Sequence, residues 1–324
     1  MLEAEQTVSG QTMASIKILI SRLEENMCRV VLGKREVVRD VIVALLAGEH
    51  VLLEDVPGVG KTLVGKALAR SVSGKFTRIQ FTPDLLPGDI IGTNVYDSAR
   101  SEFKFMPGPI FSNIVLADEI NRTTPRTQSA LLEAMSDQQV SVDGTTHKLD
   151  SPFIVIATQN PYEFEGTYPL PESQLDRFLI RIRVGYPSRE DELRVLTSHR
   201  AGDPVERLKP VLTADDVITL QSAVREVTVN EAIHQYLLDV VDATRNCDEL
   251  QVGASTRGAL CLYRAAQALA LIEGRDFCVP DDVKRLTVPV LSHRVIPRGY
   301  AHGSQRDAME TLIASLVEEV PVPN

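Results

Sequence analysis

The stretch Val51-Leu52-Leu53-Glu54-Asp55-Val56-Pro57-Gly58-Val59-Gly60-Lys61-Thr62 passes from an apolar run through a Pro/Gly turn into a helical pattern. It reads as a strand, a phosphate-binding loop and a helix. Pro57, Gly58 and Gly60 permit a tight loop whose backbone N–H groups point inward, and the helix that follows adds the positive end of its dipole. In such a loop Lys61 reaches the β- and γ-phosphates, and Thr62 ligates Mg2+. The usual pattern opens with Gly five residues before its second Gly, and here that position holds Asp55. Gly60-Lys61-Thr62 is intact, so the reading stands if the rest of the chain supports it.

With 324 residues, 44% of them hydrophobic, the chain can bury a sizeable core and fits about two domains. No apolar run approaches the roughly 20 residues that a membrane span needs. Glu3 and Glu5 precede any apolar run, which argues against a secretory signal and for a cytoplasmic protein. The net charge of −10 argues against nucleic acid as a general electrostatic partner. Cys28, Cys247, Cys261 and Cys278 lie far apart with no C-x-x-C pair, and His50, His147, His199, His234, His293 and His302 show no metal spacing. They read as reduced thiols and ordinary histidines rather than as a zinc site.

Residues 1–12 are polar and predict a frayed start. Apolar residues from Ile16 to Val30 recur at helical spacing, so a helix is expected over 13–31. Leu32-Gly33-Lys34-Arg35-Glu36 breaks it, and a second helix follows over 37–46. This break, directly before the phosphate loop, could place Gly33 in the wall of an adenine pocket; alternatively Gly33 is a helix C-cap. The phosphate-loop helix runs to Val72, a second strand covers 76–81, and 91–96 pairs with 102–105 as a hairpin.

Asn113-Ile114-Val115-Leu116-Ala117-Asp118-Glu119 is a mostly apolar strand ending in two carboxylates. Such a run predicts burial on both faces, as in a parallel sheet, and open α/β sheets bind ligands at the C-terminal ends of their strands. Asp118 is then placed for the Mg2+ shell, and Glu119 for orienting or deprotonating an attacking water. Thr124 and Pro125 open a helix to Asp137, and Gln139–Val142 pairs with His147–Leu149 around Asp143-Gly144. The strand over 153–157 ends in Thr158-Gln159-Asn160-Pro161. Asn160 can bond a γ-phosphate or its water without adding charge, or can serve as turn chemistry before Pro161. A last strand over 179–184 brings the sheet to about five parallel strands. Gly185-Tyr186-Pro187-Ser188 marks a boundary, and helices follow over 189–200, 214–226, 230–245, 255–272, 280–292 and 304–318.

In this order the parts resemble an AAA+ ATPase and, more narrowly, the MoxR family, over nearly the whole chain. The resemblance is carried by Leu53–Thr62, Phe105-Met106-Pro107-Gly108-Pro109-Ile110-Phe111, Leu116-Ala117-Asp118-Glu119-Ile120-Asn121-Arg122 and Ala157–Pro161. Leu170-Pro171-Glu172, Leu175-Asp176-Arg177-Phe178 and Gly253-Ala254-Ser255-Thr256-Arg257 complete it.

It implies a P-loop α/β core over 16–188, after a flexible start over 1–15, and a smaller all-helical lid over 189–324. ATP and Mg2+ are the implied cofactors. The nucleotide would be held by Val56, Pro57, Gly58, Val59, Gly60, Lys61, Thr62 and Leu63, with Asp118 and Gly33. Thr62 and Asp118 would hold the metal, largely through water. Glu119 completes Walker B, Asn160 is similar to sensor 1, and Arg257 is similar to a sensor 2 that reaches the γ-phosphate of its own subunit. Arg177 resembles an arginine finger acting on a neighbouring subunit; it could instead pair locally with Asp176, and Arg122 or Arg126 could take the trans role.

The family further implies a ring, commonly a hexamer. Its work would be chaperone-like action on a protein client, with a von Willebrand factor A domain partner. The hairpins at 91–105 and 139–149 would face that client. Rival readings are a metal-chelatase or nucleic-acid motor subunit, and a nucleotide-gated scaffold with little turnover.

Overall fold

The computed structural model describes residues 7–8, 11–163, 166–299 and 305–323. Most of the start expected to fray, and His302, lie outside them; Thr7–Val8 and Gln11–Thr12 pair as a short antiparallel ladder.

Five parallel strands form the central sheet: β1 (Val51–Glu54), β2 (Phe76–Gln80), β3 (Ile114–Asp118), β4 (Ile154–Gln159) and β5 (Ile180–Ile182), in the order β5-β1-β4-β3-β2. All of β1 and β3 is buried, as their unbroken apolar runs require. The order puts β1 between β4 and β5, so the loop leaving β1 opens beside the ends of β4 and, one strand further, β3. That is the crevice where open parallel sheets bind ligands.

One face of the sheet carries α1 (Met13–Cys28), α2 (Arg35–Ala47) and α3 (Lys61–Ser71). Alternate residues Leu53, Leu116, Ile154, Ile156 and Ile180 bury against them. The other face buries Leu52, Val115, Ala117 and Val155 against α4 (Pro125–Asp137) and Phe178. The period-2 alternation of the strands thus builds two cores from one sheet. Two antiparallel hairpins leave this layer, Gly92–Asp97 with Glu102–Pro107 and Gln139–Val142 with Thr145–Lys148.

Beyond β5 come α5 (Arg189–Ser198), α6 (Ala214–Glu226), α7 (Glu231–Arg245), α8 (Thr256–Ile272), α9 (Pro280–Leu291) and α10 (Gln305–Glu319). Their starts follow capping chemistry: Ser188, Thr213, Asn230 and Ser255 each accept a first-turn N–H. Leu262 and Ala266 of α8 share a core with Val41 and Leu45 of α2, so the lid packs on the α2 face. Two short ladders add to the helices read from Thr213 onward. Leu250–Val252 pairs with Ile296–Pro297, and Leu212–Thr213 runs parallel to Val72–Ser73.

Candidate functional site

The loop between β1 and α3 is built as its sequence demands. Gly60 caps α3 at φ +95°, a left-handed conformation in which a side chain would be strained. Gly58 is exposed, whereas Val59 is buried and pins the loop to the core. Lys61 opens α3 and donates its ammonium to the carbonyls of Gln159, at 2.9 Å, and Asp55. Burial pushes the Lys61 pKa below the ordinary lysine value, against the opposing pull of Asp55, Asp118 and Glu119.

Asp55, the departure from the usual loop, has a defined place. Its Oδ1 accepts the Val56 N–H at 2.7 Å and its Oδ2 the Gly185 N–H at 2.6 Å. The carboxylate therefore ties the first turn of the loop to the segment leaving β5.

At the end of β3, Asp118 is buried and Thr62 Oγ1 lies 3.2 Å from its Oδ2. Thr158 joins the two acids: its hydroxyl donates to Asp118 Oδ1 at 2.6 Å and accepts the Glu119 N–H at 2.9 Å. Glu119 itself stands at φ +58°, ψ +51°, a conformation uncommon for a non-glycine residue. That backbone swings its carboxylate clear of the strand, where Gln80 Nε2 (2.8 Å) and Arg122 Nη1 (3.1 Å) donate to it. Arg122 also bridges to Glu163, so in this structure it pairs with two acids of its own chain.

Asn160 follows β4 at the same edge. Its Oδ1 accepts the Tyr162 N–H at 3.2 Å, the turn chemistry expected before Pro161, and its Nδ2 lies 3.4 Å from Glu163 Oε2. Gly33 lies five residues beyond Cys28, the last residue of α1, so it is not that helix's cap. At φ +69° it packs so closely on Asp191 that a Cβ would collide with that carboxylate. Lys34 Nζ donates to the Tyr186 carbonyl at 2.7 Å. The chain break before α2 and the boundary after β5 thus meet, on the side where the loop opens.

The two arginines singled out in the sequence lie elsewhere. Arg177 precedes β5 and Arg257 begins α8, and both line a cavity of about 910 Å³ with Glu49 and His50, the residues preceding β1. This is the N-terminal edge of the sheet, which the length of β1 alone separates from the phosphate loop by about 13 Å. Arg257 Nε lies 3.6 Å from Asp176. Packing of α8 on α2 places Arg257 at the edge of the sheet opposite the phosphate loop of its own chain. Arg177 does not pair with Asp176 but donates to the carbonyl of Leu132 at 2.9 Å and to Ser136. Asp176 is taken instead by Arg294, whose Nε donates to it at 2.8 Å.

The sequence model of the ATPase family associated with various cellular activities (AAA) matches residues 50–180, and that of the AAA lid domain matches 242–312. Chaperone MoxR1 of Mycobacterium tuberculosis is 46% identical over 277 residues, which cover 83% of this chain and 73% of that protein. The chain belongs to the MoxR family of AAA+ ATPases. A second relative, the uncharacterised protein YeaC of Bacillus subtilis, is 50% identical over 94% of this chain and 95% of its own. A crystal structure of a candidate ATPase from Cytophaga hutchinsonii superposes with a TM-score of 0.86 at 36% identity, covering 96% of this chain and 97% of that one.

In this MoxR-family chain the ligating atoms that Thr62 and Asp118 themselves offer are oxygens, which suits a hard cation such as Mg2+. Thr158, Gln80 and Arg78, which bond Asp118 or Glu119, and Arg294, which bonds Asp176, are contacts that the sequence reading did not single out. Thr158 stood inside the quoted Ala157–Pro161 block, where a hydroxyl at the end of a buried strand was the available signal. The arginines gave none, since their partners lie 40 and 118 residues away.

Proposed function

We propose that this chain hydrolyses ATP, and that two copies build each complete site. One observation carries the reading. Lys61, Thr62, Asp118 and Glu119 converge at the C-terminal edge of the sheet, while Arg177 and Arg257 line a cavity at the N-terminal edge of the same sheet. A subunit that presents its arginines away from its own phosphate loop can offer them to the loop of a neighbour. That geometry supports a closed ring, taken here as a hexamer, with Arg177 and Arg257 both acting in trans.

In this mechanism the N–H groups of residues 58–63 and the Lys61 ammonium hold the phosphates, Val56 and Pro57 shape the loop, and the Gly33 break and Tyr186 flank the base. Thr62 and Asp118 would hold Mg2+, which supplies charge neutralisation on the phosphate oxygens. Glu119 orients the attacking water and takes its proton, and Asn160 positions the water or γ-phosphate from β4. The incoming arginines offset the charge that builds in the transition state.

The boundary at 188/189 separates a core from a lid, and nucleotide-driven change between them moves the two hairpins against a protein client. The name of the chaperone relative supports such remodelling work, with a von Willebrand factor A domain partner as the family implies. The cytoplasm is the proposed location; among the described residues no helix is long and apolar enough to cross a membrane.

The decisive experiment replaces Glu119 by Gln. ATP binding should persist while turnover falls about 100-fold or more. Hydrolysis at the wild-type rate would remove Glu119 from the mechanism, and absence of ATP turnover by the wild-type chain would overturn the hydrolytic reading.

A further inference from the structure

Strand β2 carries Arg78, which the mechanism above does not use. Its side chain is 46% exposed, yet it folds over the end of β3 and gives both Nε (3.0 Å) and Nη2 (2.6 Å) to a single oxygen, Asp118 Oδ2. Nη2 also donates to Gln80 Oε1 at 2.8 Å, which holds the planar fork in place. The second oxygen, Oδ1, accepts Thr158 at 2.6 Å, and Thr62 Oγ1 stands 3.4 Å and 3.2 Å from Oδ1 and Oδ2. A carboxylate offers about four lone-pair positions, and these three residues fill them. Asp118 is only 5% exposed, so the guanidinium supplies the countercharge that a desolvated anion requires.

That countercharge stands where a metal shell must be received. Mg2+ keeps several of its waters, and waters that reach Asp118 need lone pairs on Oδ2 that Arg78 already holds. A guanidinium and a divalent cation on one carboxylate also repel each other. Lys61 does not share in that countercharge in this structure, where its ammonium donates to the carbonyls of Asp55 and Gln159, and in the loaded site it turns to the phosphates. The half-exposed stem of Arg78 leaves the fork a route to solvent.

We infer that Arg78 competes with the divalent cation for Asp118, so that loading of metal and nucleotide displaces its fork and Arg78 sets the metal affinity of the site. The inference rests on the reading of Thr62 and Asp118 as the metal site. Arg78 is a positioning residue in this scheme, touching the carboxylate and not the substrate.

The test uses Mn2+ as a paramagnetic probe, titrated by electron paramagnetic resonance into the full chain saturated with ADP. Arg78→Gln should bind Mn2+ about tenfold more tightly than wild type, since a charge-assisted fork no longer opposes the metal. Arg78→Lys, which keeps the charge but loses the fork, should also bind more tightly than wild type, and it carries the comparison if the Gln variant does not fold. ADP affinity in EDTA should be equal in all three proteins, and the melting temperature of Arg78→Gln should rise more on adding Mn2+ and ADP than that of wild type. Equal or weaker Mn2+ binding by the variants would overturn the inference and leave the metal site standing. Failure of wild type to bind Mn2+ in the presence of ADP would remove both.

Discussion

Asp55 Oδ2 accepts the backbone N–H of Gly185 at 2.6 Å, and through this bond the first residue of the phosphate loop holds the strand-to-lid connection. The two residues are 130 positions apart in sequence and meet because β1 and β5 are neighbours. An acid at this position is therefore a structural choice, and its removal should loosen the loop and the lid connection together. Asp55→Ala should weaken ADP binding about tenfold, the effect of losing charge-assisted bonds of roughly 1.5 kcal/mol. Titration with a fluorescent ADP analogue measures it, and unchanged affinity would show that the loop keeps its shape without the carboxylate.

The division of the site between two edges of the sheet makes a prediction about mixtures. Lys61→Ala subunits lack the phosphate-binding ammonium but keep Arg177, and Arg177→Ala subunits have the reverse defect. Each alone should be nearly inactive as an ATPase. Mixed rings should regain activity up to about one quarter of wild type, because sites that pair an intact loop with an intact arginine reappear. No recovery in rings shown by native mass spectrometry to be mixed would place Arg177 outside the trans role.

Arg294 should be a stability residue of the lid–core contact. Its buried side chain donates to Asp176 at 2.8 Å and to the carbonyls of Phe178 and Leu179 at 2.6 and 3.0 Å. Arg294→Ala strands these acceptors and should destabilise the chain by about 3–5 kcal/mol. Chemical denaturation reads this directly, and a loss below about 1 kcal/mol would mean that the lid finds other partners.

Two buried histidines predict acid sensitivity. Burial, as the leading cause, pushes the pKa of His50 below its ordinary value and that of His293 well below it. His50 also accepts the Val155 N–H on Nδ1 at 3.1 Å, an acceptor site that protonation would destroy. A depressed folded-state pKa means that the unfolded chain binds the proton first, so stability is full above about pH 6.5 and falls as pH drops below it. Each histidine costs at most about 1.4 kcal/mol per pH unit, and only between its unfolded-state and folded-state pKa. Urea denaturation at pH 7.5 and 5.5 should show His50→Gln losing less stability on acidification than wild type; equal losses would count against His50 as a source.

The centre of the sheet was legible because β1, β3 and β4 are near-continuous apolar runs, as a parallel sheet covered on both faces requires. The convergence of Lys61, Thr62, Asp118 and Glu119 was legible in part: Asp118 and Glu119 close such a run, and Lys61 and Thr62 follow one through a Pro/Gly loop, so local sequence fixes their positions. The helix that carries Arg257 was legible, but the edge of the sheet it faces was not, since the docking of α8 on α2 depends on side-chain fit across some 200 residues. The Leu250–Val252 ladder was hidden for a related reason: its partner, Ile296–Pro297, is too short to show a strand period. Arg78 lies on an edge strand whose polar pattern resembles any solvated face, and nothing local points it at Asp118.

The two hairpins are not independent arms. Phe105 stacks on His147 with ring centroids 3.8 Å apart, and Asn94 donates to Asp143 at 2.8 Å, so the outer strands of one are fastened to the turn and return strand of the other. The first hairpin also displays Tyr96 and Phe103, packed edge to face and both more than half exposed. A load applied to either hairpin is consequently shared by both. It reaches the core through four strands rather than two, which makes the pair a stiff handle instead of two flexible fingers.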